Sequence, residues 1–526
     1  MLFTNGVFHS MVSEEDRFCG MEVIDGKIAR IFRSPEELPA GAPSVDLEGK
    51  HVYPCLIDPH VHLLMTVGVM ASGFSICEIV PPDRIEPSNL AGVEKRIRDY
   101  ASRQPKNAVI ALNNYILSAI DERRLPTKAE LDAWTGGRAA VVYNIDGHST
   151  SLSTKMLERV GIDPQGHNGV LQGEQNEKAQ GRILDAVSAS IGLKALAKGI
   201  GEFHNTCAAY GIGMVGALEG NGDSEKDTST ALIARLARHF GIQVRLYLQY
   251  TDENRVKPFA KFMKNLRVGG CGDWEMDGAV GAHSAAFARP FTDTGLTADC
   301  YYTQDFVNER VTLFDKDGYQ VASHAIGGRA IERLANALDK TGSGRLHRIE
   351  HCEFISDETL EKIRGRNYAA VMQPGYAWID KRYLHTYEKY LPKETLDGMK
   401  LRSIMGAGLC LCGSTDSPVQ ELDPFMQMLG MVQFYNEAES LTPFEAMSTY
   451  TKNAARCMLA DDEYGTLEVG KAADFFIADR DFFTLRPEEL AAFRPKETYY
   501  GGKAYKKKKG SLAELIGMLL TPPKKI

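Results

Sequence analysis

The 526-residue chain lacks most of the features that would set it apart from an ordinary globular protein. It has no excess of basic residues: the formal net charge is −8, and a nucleic-acid partner would need a basic face to meet phosphates. It has no stretch near the roughly 20 consecutive apolar residues of a bilayer-crossing helix, so no membrane partner is expected. Its opening, Met1 to Asp16, carries neither the basic leader nor the apolar core of a signal peptide, which points to the cytoplasm. The ten cysteines are dispersed, without a Cys-x-x-Cys pair or compact framework, so a disulfide scaffold is excluded. Cys410 and Cys412, inside an apolar run, read as buried free thiols in a reducing compartment. With 44% hydrophobic and 25% charged residues, the chain can bury one large core and one or two smaller ones.

The ends differ from the middle. Residues 2 to 53 show short strand-like runs, with an Asp25-Gly26 hairpin signal between Gly20–Ile24 and Lys27–Phe32. A similar texture returns over 460–505, at Ala473–Ala478 and Thr498–Tyr500. The two ends are therefore expected to meet in one small composite β-sandwich, residues 1–53 with 460–505. Over 54–459, apolar β-rich runs alternate with helix-period segments. The runs are Val52–Ile57, Ile212–Leu218, Val244–Tyr250, Cys271–Met276, Gln320–His324, Arg348–His351, Ala369–Met372 and Gly408–Cys412. Eight strands with helical connections give the count of an α/β (β/α)8 TIM-type barrel, although a doubly wound open sheet also alternates. The first connection, about 64–211, is too long for one helix and reads as a subdomain inserted over the barrel mouth. Residues 506–526 form a basic tail with a short capped helix, either packed on the chain or a contact for a homo-oligomer.

In such a barrel the C-terminal ends of the strands converge, and here those ends are polar. The first ends in Asp58-Pro-His60-Val-His62, and residues two apart on an extended segment share a face, as a metal pair on a strand must. The fifth ends at His324, the sixth at His351 and the eighth at Asp416. One such histidine is ordinarily a hydrogen-bonded core residue; four with an aspartate at matching positions read as a metal centre. Imidazoles with a carboxylate suit a divalent ion, zinc first and manganese or iron next, better than calcium or magnesium.

These segments carry a resemblance. Tyr53-Pro-Cys-Leu-Ile-Asp-Pro-His-Val-His62, Asp277-Gly-Ala-Val-Gly-Ala-His-Ser-Ala-Ala286, His324-Ala-Ile-Gly-Gly-Arg-Ala330, Arg348-Ile-Glu-His-Cys352, Gly413-Ser-Thr-Asp-Ser-Pro-Val419 and Gly465-Thr-Leu-Glu-Val-Gly-Lys-Ala-Ala-Asp474 resemble, in order, the amidohydrolase superfamily. Within it, they resemble the family 3 branch that includes N-substituted formamide deformylase-like proteins. The resemblance implies a metal-bearing barrel in which His60, His62, His324 and His351 are ligands and Asp416 is the acid/base that also touches metal. It departs at the fourth strand. Where many relatives carry a lysine that becomes carboxylated, counting back from Asp277-Gly278 finds Asp273, too short to bridge in the same way. Period-two alternation puts Asp273, Glu275 and Asp277 on one face, so Glu275 is the alternative inward carboxylate. A second departure is Gly328, where relatives often carry an aspartate that would steady the site.

The expected chemistry is hydrolysis of a linear or cyclic amide C–N bond in a small molecule. Water is activated by one or two metal ions, Asp416 handles the proton, and His324 steadies the oxyanion. His148, in Asn144-Ile-Asp-Gly-His-Ser149, and Gln373 are the expected substrate contacts. Two other readings stay open: deamination of a heterocycle at the same site, and a non-catalytic metal-binding regulatory protein.

Overall fold

The computed structural model describes all residues except 40, 81–83, 221 and 225, and the side chains of 72, 79 and 80. Its centre is a sheet of eight parallel strands: β1 (Leu56–Val61), β2 (Ile212–Glu219), β3 (Gln243–Leu248), β4 (Arg267–Glu275), β5 (Gln320–Ala325), β6 (His347–His351), β7 (Tyr368–Met372) and β8 (Cys410–Gly413). Neighbours in sequence are neighbours in the sheet, and a bridge from Val61 to Ser417 joins the first strand to the segment after the last. The sheet closes there. His62 N donates to the Ser417 carbonyl at 2.8 Å, and Asp416 N to the His60 carbonyl at 3.1 Å. The result is a (β/α)8 barrel. Most of its strands are buried end to end, as β2 is, because helices cover the outer face and side chains fill the inner one. The helix Gly328–Leu338 is typical: it presents Ala330, Ile331, Leu334 and Ala335 to the barrel.

One apolar run proved to serve two sheets. The expected first strand, Val52–Ile57, divides at Cys55, whose N–H turns to the Asp474 carbonyl at 2.9 Å. His51–Pro54 pairs with Phe475–Ala478 and Val7–His9 in a six-stranded sheet, and the barrel begins only at Leu56. That six-stranded sheet and a four-stranded one from residues 2–46 share a core of Phe3, Phe8, Phe475 and Tyr499. The Asp25-Gly26 turn joins two strands of the four-stranded sheet, with φ of 50° and 78°, the positive pair a type I′ hairpin demands.

Between β1 and β2 lie α1 (Leu63–Ser72), a five-stranded mixed sheet, α2 (Glu174–Ser188) and α3 (Leu193–Ala209). The mixed sheet has its own core around Ile97, Tyr115 and Trp134. Helices α1 and α3 approach so closely that a Cβ on Gly199 would lie 2.3 Å from the Val67 carbonyl oxygen. At the far end, the helix Leu512–Leu519 opens with a Ser511/Glu514 capping box and buries Leu515, while Asn205 of α3 holds the Lys508 backbone. Among the described residues no helix is long and apolar enough to cross a membrane.

Candidate metal centre

The closure of the barrel builds the first part of the site. Asp58, fully buried under the β1–β8 seam, accepts from the Thr415 N–H and from its hydroxyl at 2.6 Å. Burial raises its pKa to about 7 against the pull of those bonds. This cross-strand tie sets Asp416 opposite the His-x-His segment. Asp416 Oδ1 lies 3.2 Å from His60 Nε2 and 3.2 Å from His62 Nε2. The oxygen is buried and meets neither nitrogen with hydrogen-bond geometry. Ligand bonds of about 2.0–2.3 Å place the donors of one ion roughly 3–4 Å apart, so this separation fits a shared cation. Burial opposes charge on Asp416, but His60 and His62 outweigh it and hold the carboxyl well below the usual range.

The fourth, fifth and sixth strands complete the cluster. Cys271 Sγ lies 3.6 Å from His60 Nε2, 3.9 Å from His324 Nδ1 and 3.9 Å from His351 Nε2. Each of these rings has its far nitrogen anchored. His60 Nδ1 meets Glu350 Oε2 at 2.6 Å, His351 Nδ1 donates to Gln373 Oε1 at 2.7 Å, and His324 Nε2 donates to the Gly278 carbonyl at 3.4 Å. Such partners fix tautomer and ring orientation, leaving the inner nitrogen as a lone-pair donor. Glu350 is itself clamped by both Arg348 nitrogens, at 2.7 and 2.8 Å. Burial lowers the His351 pKa to about 4, and burial with the nearby His351 and His148 lowers that of His324 well below the usual range, which favours the neutral form a ligand needs; at His60, Asp416 and Cys271 outweigh burial and raise it. His351 and Asp416 also sit at φ of 66° and 57°, left-handed backbone that costs a side-chain-bearing residue about 1–3 kcal/mol and gathers at functional sites.

The fourth strand departs from the period-two expectation. Gly270 pairs with Ser323, but the next pair is Glu275 with His324, so 271–274 loop out of register. Gly269 and Gly270 make this possible at φ of 101° and 115°; a Cβ on Gly269 would fall 1.8 Å from the Ala322 carbonyl oxygen. The bulge turns Cys271 inward and Asp273 away. Asp273, expected beside the metal, accepts from Gly222 N at 2.7 Å and Thr251 N at 3.4 Å instead. Asp277 leaves the strand altogether and accepts from Ala286, Ile326 and Gly327 N–H groups, fixing the loop after β5 in front of Gly328. Glu275 does turn inward, where Oε1 accepts from Gly272 N at 3.0 Å. Its Oε2 is buried without a hydrogen-bond partner, in a cluster with His148 and Glu177. Burial and the Glu177 carboxylate push its pKa well up.

The insert contributes the remainder. His148 Nδ1 donates to Glu177 Oε1 at 2.8 Å, and its ring centre lies 5.2 Å from that of His324. Burial opposes its charge, but Glu177 prevails and raises the pKa to about 10, so the imidazole is a cation. Gln373, expected as a substrate contact, is committed on both sides: Oε1 to His351 and Nε2 to Ser414 Oγ at 2.8 Å. Two adjoining chambers meet over the cluster, sharing His148, His324, His351 and Asp416, with about 1000 and 1040 Å³ of space including that open to solvent. One is walled by tyrosines, Phe434 and aliphatic side chains; the other by Asn113, Asn114, Gln180, Gln249 and acids. Cys271 and Glu177 went unnoticed in the sequence, since one resembles a core thiol and the other sits on a helix without a motif.

Comparison with known proteins bears on the sequence and the fold. A sequence model described as the amidohydrolase family, in its third branch, matches residues 44–505. N-substituted formamide deformylase of Arthrobacter pascens is 24% identical, over 93% of this chain and 95% of its own. The exoenzymes regulatory protein AepA of Pectobacterium carotovorum is 25% identical, over 72% of this chain and 87% of its own. Among solved structures, an uncharacterized metal-dependent hydrolase from Pyrococcus furiosus superposes with a TM-score of 0.71 at 21% identity, covering 92% of this chain and 99% of that one.

Proposed function

This chain belongs to the amidohydrolase family, and from that premise we propose that it is a hydrolase cleaving the C–N bond of a small-molecule amide at a divalent metal, zinc first among the candidates. The observation that carries the reading is Asp416 Oδ1, buried 3.2 Å from two imidazole nitrogens without a hydrogen bond to either. His60, His62 and Asp416 on one side and His60, Cys271 and His351 on the other would hold one or two ions, with His324 Nδ1 3.9 Å from the Cys271 sulfur, and sulfur among imidazoles favours zinc or iron over harder cations. When bound, the metal supplies Lewis acidity that polarises a carbonyl and acidifies water.

The side chains do the rest. Asp416, ionised, accepts the proton of the attacking water and returns it to the leaving nitrogen. His324 would hold the metal through Nδ1 while its Nε2 meets the Gly278 carbonyl, so the oxyanion-steadying role passes to His148, whose Nδ1 proton Glu177 secures. Glu350, Gln373 and the Gly278 carbonyl keep the ligand rings from rotating.

The test is a panel of N-acyl and N-formyl amines incubated with metal-loaded protein, reading amine release. Turnover that disappears on chelation and returns with metal is expected. Ammonia release from heterocycles alone would move the reading to a deaminase, and full metal occupancy without any turnover would favour a binding protein.

A further inference from the structure

Resting on the amide-hydrolase reading, we propose that the site takes substrates without a negative charge, with a large apolar group in the tyrosine-walled chamber, and rejects carboxylate-bearing amides. Most small-molecule sites for carboxylates supply a guanidinium or ammonium that meets them in a charge-assisted pair. Among the described residues lining both chambers there is neither a lysine nor an arginine. The lining carries carboxyls instead, Asp146, Glu219, Glu275, Glu353 and Asp380 besides Asp416, which are positive in neither protonation state. The one cation among these lining residues, His148, stands beside His324 at the cluster, with its Nδ1 paired to Glu177 across 2.8 Å.

The apolar chamber is specific in its surfaces. Tyr387 donates its hydroxyl to Glu353 Oε1 at 2.5 Å, and Tyr376 donates its own to the Ile145 carbonyl at 2.9 Å. With their polar ends tied off, these tyrosines offer ring bodies, and Tyr390, Phe434 and Met399 extend the apolar wall. A carboxylate on a group lodged there would lose its water and find neither a guanidinium nor an ammonium in the described lining to replace it.

Three acetamides of 2-phenylethylamine make the test: the parent, its ring para-nitro derivative and its ring para-carboxylate. Nitro and carboxylate match in shape, so size cancels. Both amine release and calorimetric affinity are measured on the metal-loaded enzyme. The nitro compound should be handled at least about a hundredfold better than the carboxylate, by kcat/KM and by affinity alike. Glu353→Gln, which keeps an acceptor for Tyr387, should narrow that ratio by about tenfold. A carboxylate handled within about threefold of its nitro twin, or neutral compounds that fail to bind, would overturn the proposal. If nothing is hydrolysed yet the neutral compounds bind and the anion does not, the hydrolase reading fails while the charge selection stands.

Discussion

Two clusters in this chain are built from the same residue types, two histidines and an aspartate, yet only one has the form of a metal centre. At the barrel mouth, His60 and His62 point their Nε2 atoms at one Asp416 oxygen, and His60 is locked from behind by Glu350. In the terminal sheet, His9 Nε2 and His51 Nδ1 meet each other at 3.0 Å, the length of a hydrogen bond. Asp481 stands 3.9 Å from His9 and 4.0 Å from His51, while Tyr53 and Phe483 N occupy its Oδ1 at 3.0 Å and Arg17 approaches Oδ2 at 3.7 Å. His9 Nδ1 is buried without a partner, but His9 Nε2, His51 Nδ1 and Asp481 Oδ1 are each engaged by protein. Composition therefore does not make a site; convergence of lone pairs that the protein leaves unsatisfied does.

The sharpest way to break that comparison is to cut both clusters. His60→Ala should lower amide turnover by at least about a thousandfold, whereas His51→Gln should leave kcat/KM within about twofold, in a steady-state assay on metal-loaded protein. Comparable losses in both would erase the distinction. Next come the supports: Cys271→Ser and Glu350→Gln should each weaken metal affinity by about 10–100-fold, read by competition with a chelator. An unchanged affinity in Cys271→Ser would remove sulfur from the donor set. Smaller effects separate the two acids of the bulged strand. Glu275→Gln should reduce kcat about tenfold and Asp273→Asn less than about threefold, and bicarbonate should change neither, because among the described residues no lysine lines either chamber.

An effect on stability rather than turnover lies between barrel and sheet. Burial raises the Asp474 pKa to about 6, although Gly501 N donates to it at 2.6 Å. A carboxyl that holds its proton longer folded than unfolded loses stability as pH rises from about 4 through 6, by roughly 2–3 kcal/mol. Asp474→Asn should be free of that loss, so its advantage in denaturant titrations should grow from pH 4.5 to pH 7 while metal content stays constant. A constant difference across the range would mean that the group is ionised in both states.

Much of the barrel was legible because its strands are buried on both faces and read as short apolar runs between helical segments. Where one such run crossed from the sheet to the barrel, nothing in its hydrophobicity marked Cys55 as the break. The ligand candidates were legible where they end a strand, as His60, His62, His324, His351 and Asp416 do. The fourth strand was not, because side-chain direction there follows a bulge set by Gly269 and Gly270 rather than strand alternation. Asp273 and Cys271 exchange places for that reason. Glu177 was illegible for another: it acts through His148 from a separate helix of the insert, a contact that only the fold creates.

The central claim, that the barrel-mouth donors hold the metal and the terminal His9/His51/Asp481 group does not, is tested most directly by metal content per chain. Wild type, His60→Ala, Cys271→Ser and His51→Gln would be stripped, reloaded with zinc, dialysed and analysed by mass spectrometry. Loss of metal in His60→Ala, weakened retention in Cys271→Ser and wild-type content in His51→Gln are predicted. Full metal in His60→Ala, or a fall confined to His51→Gln, would contradict the account.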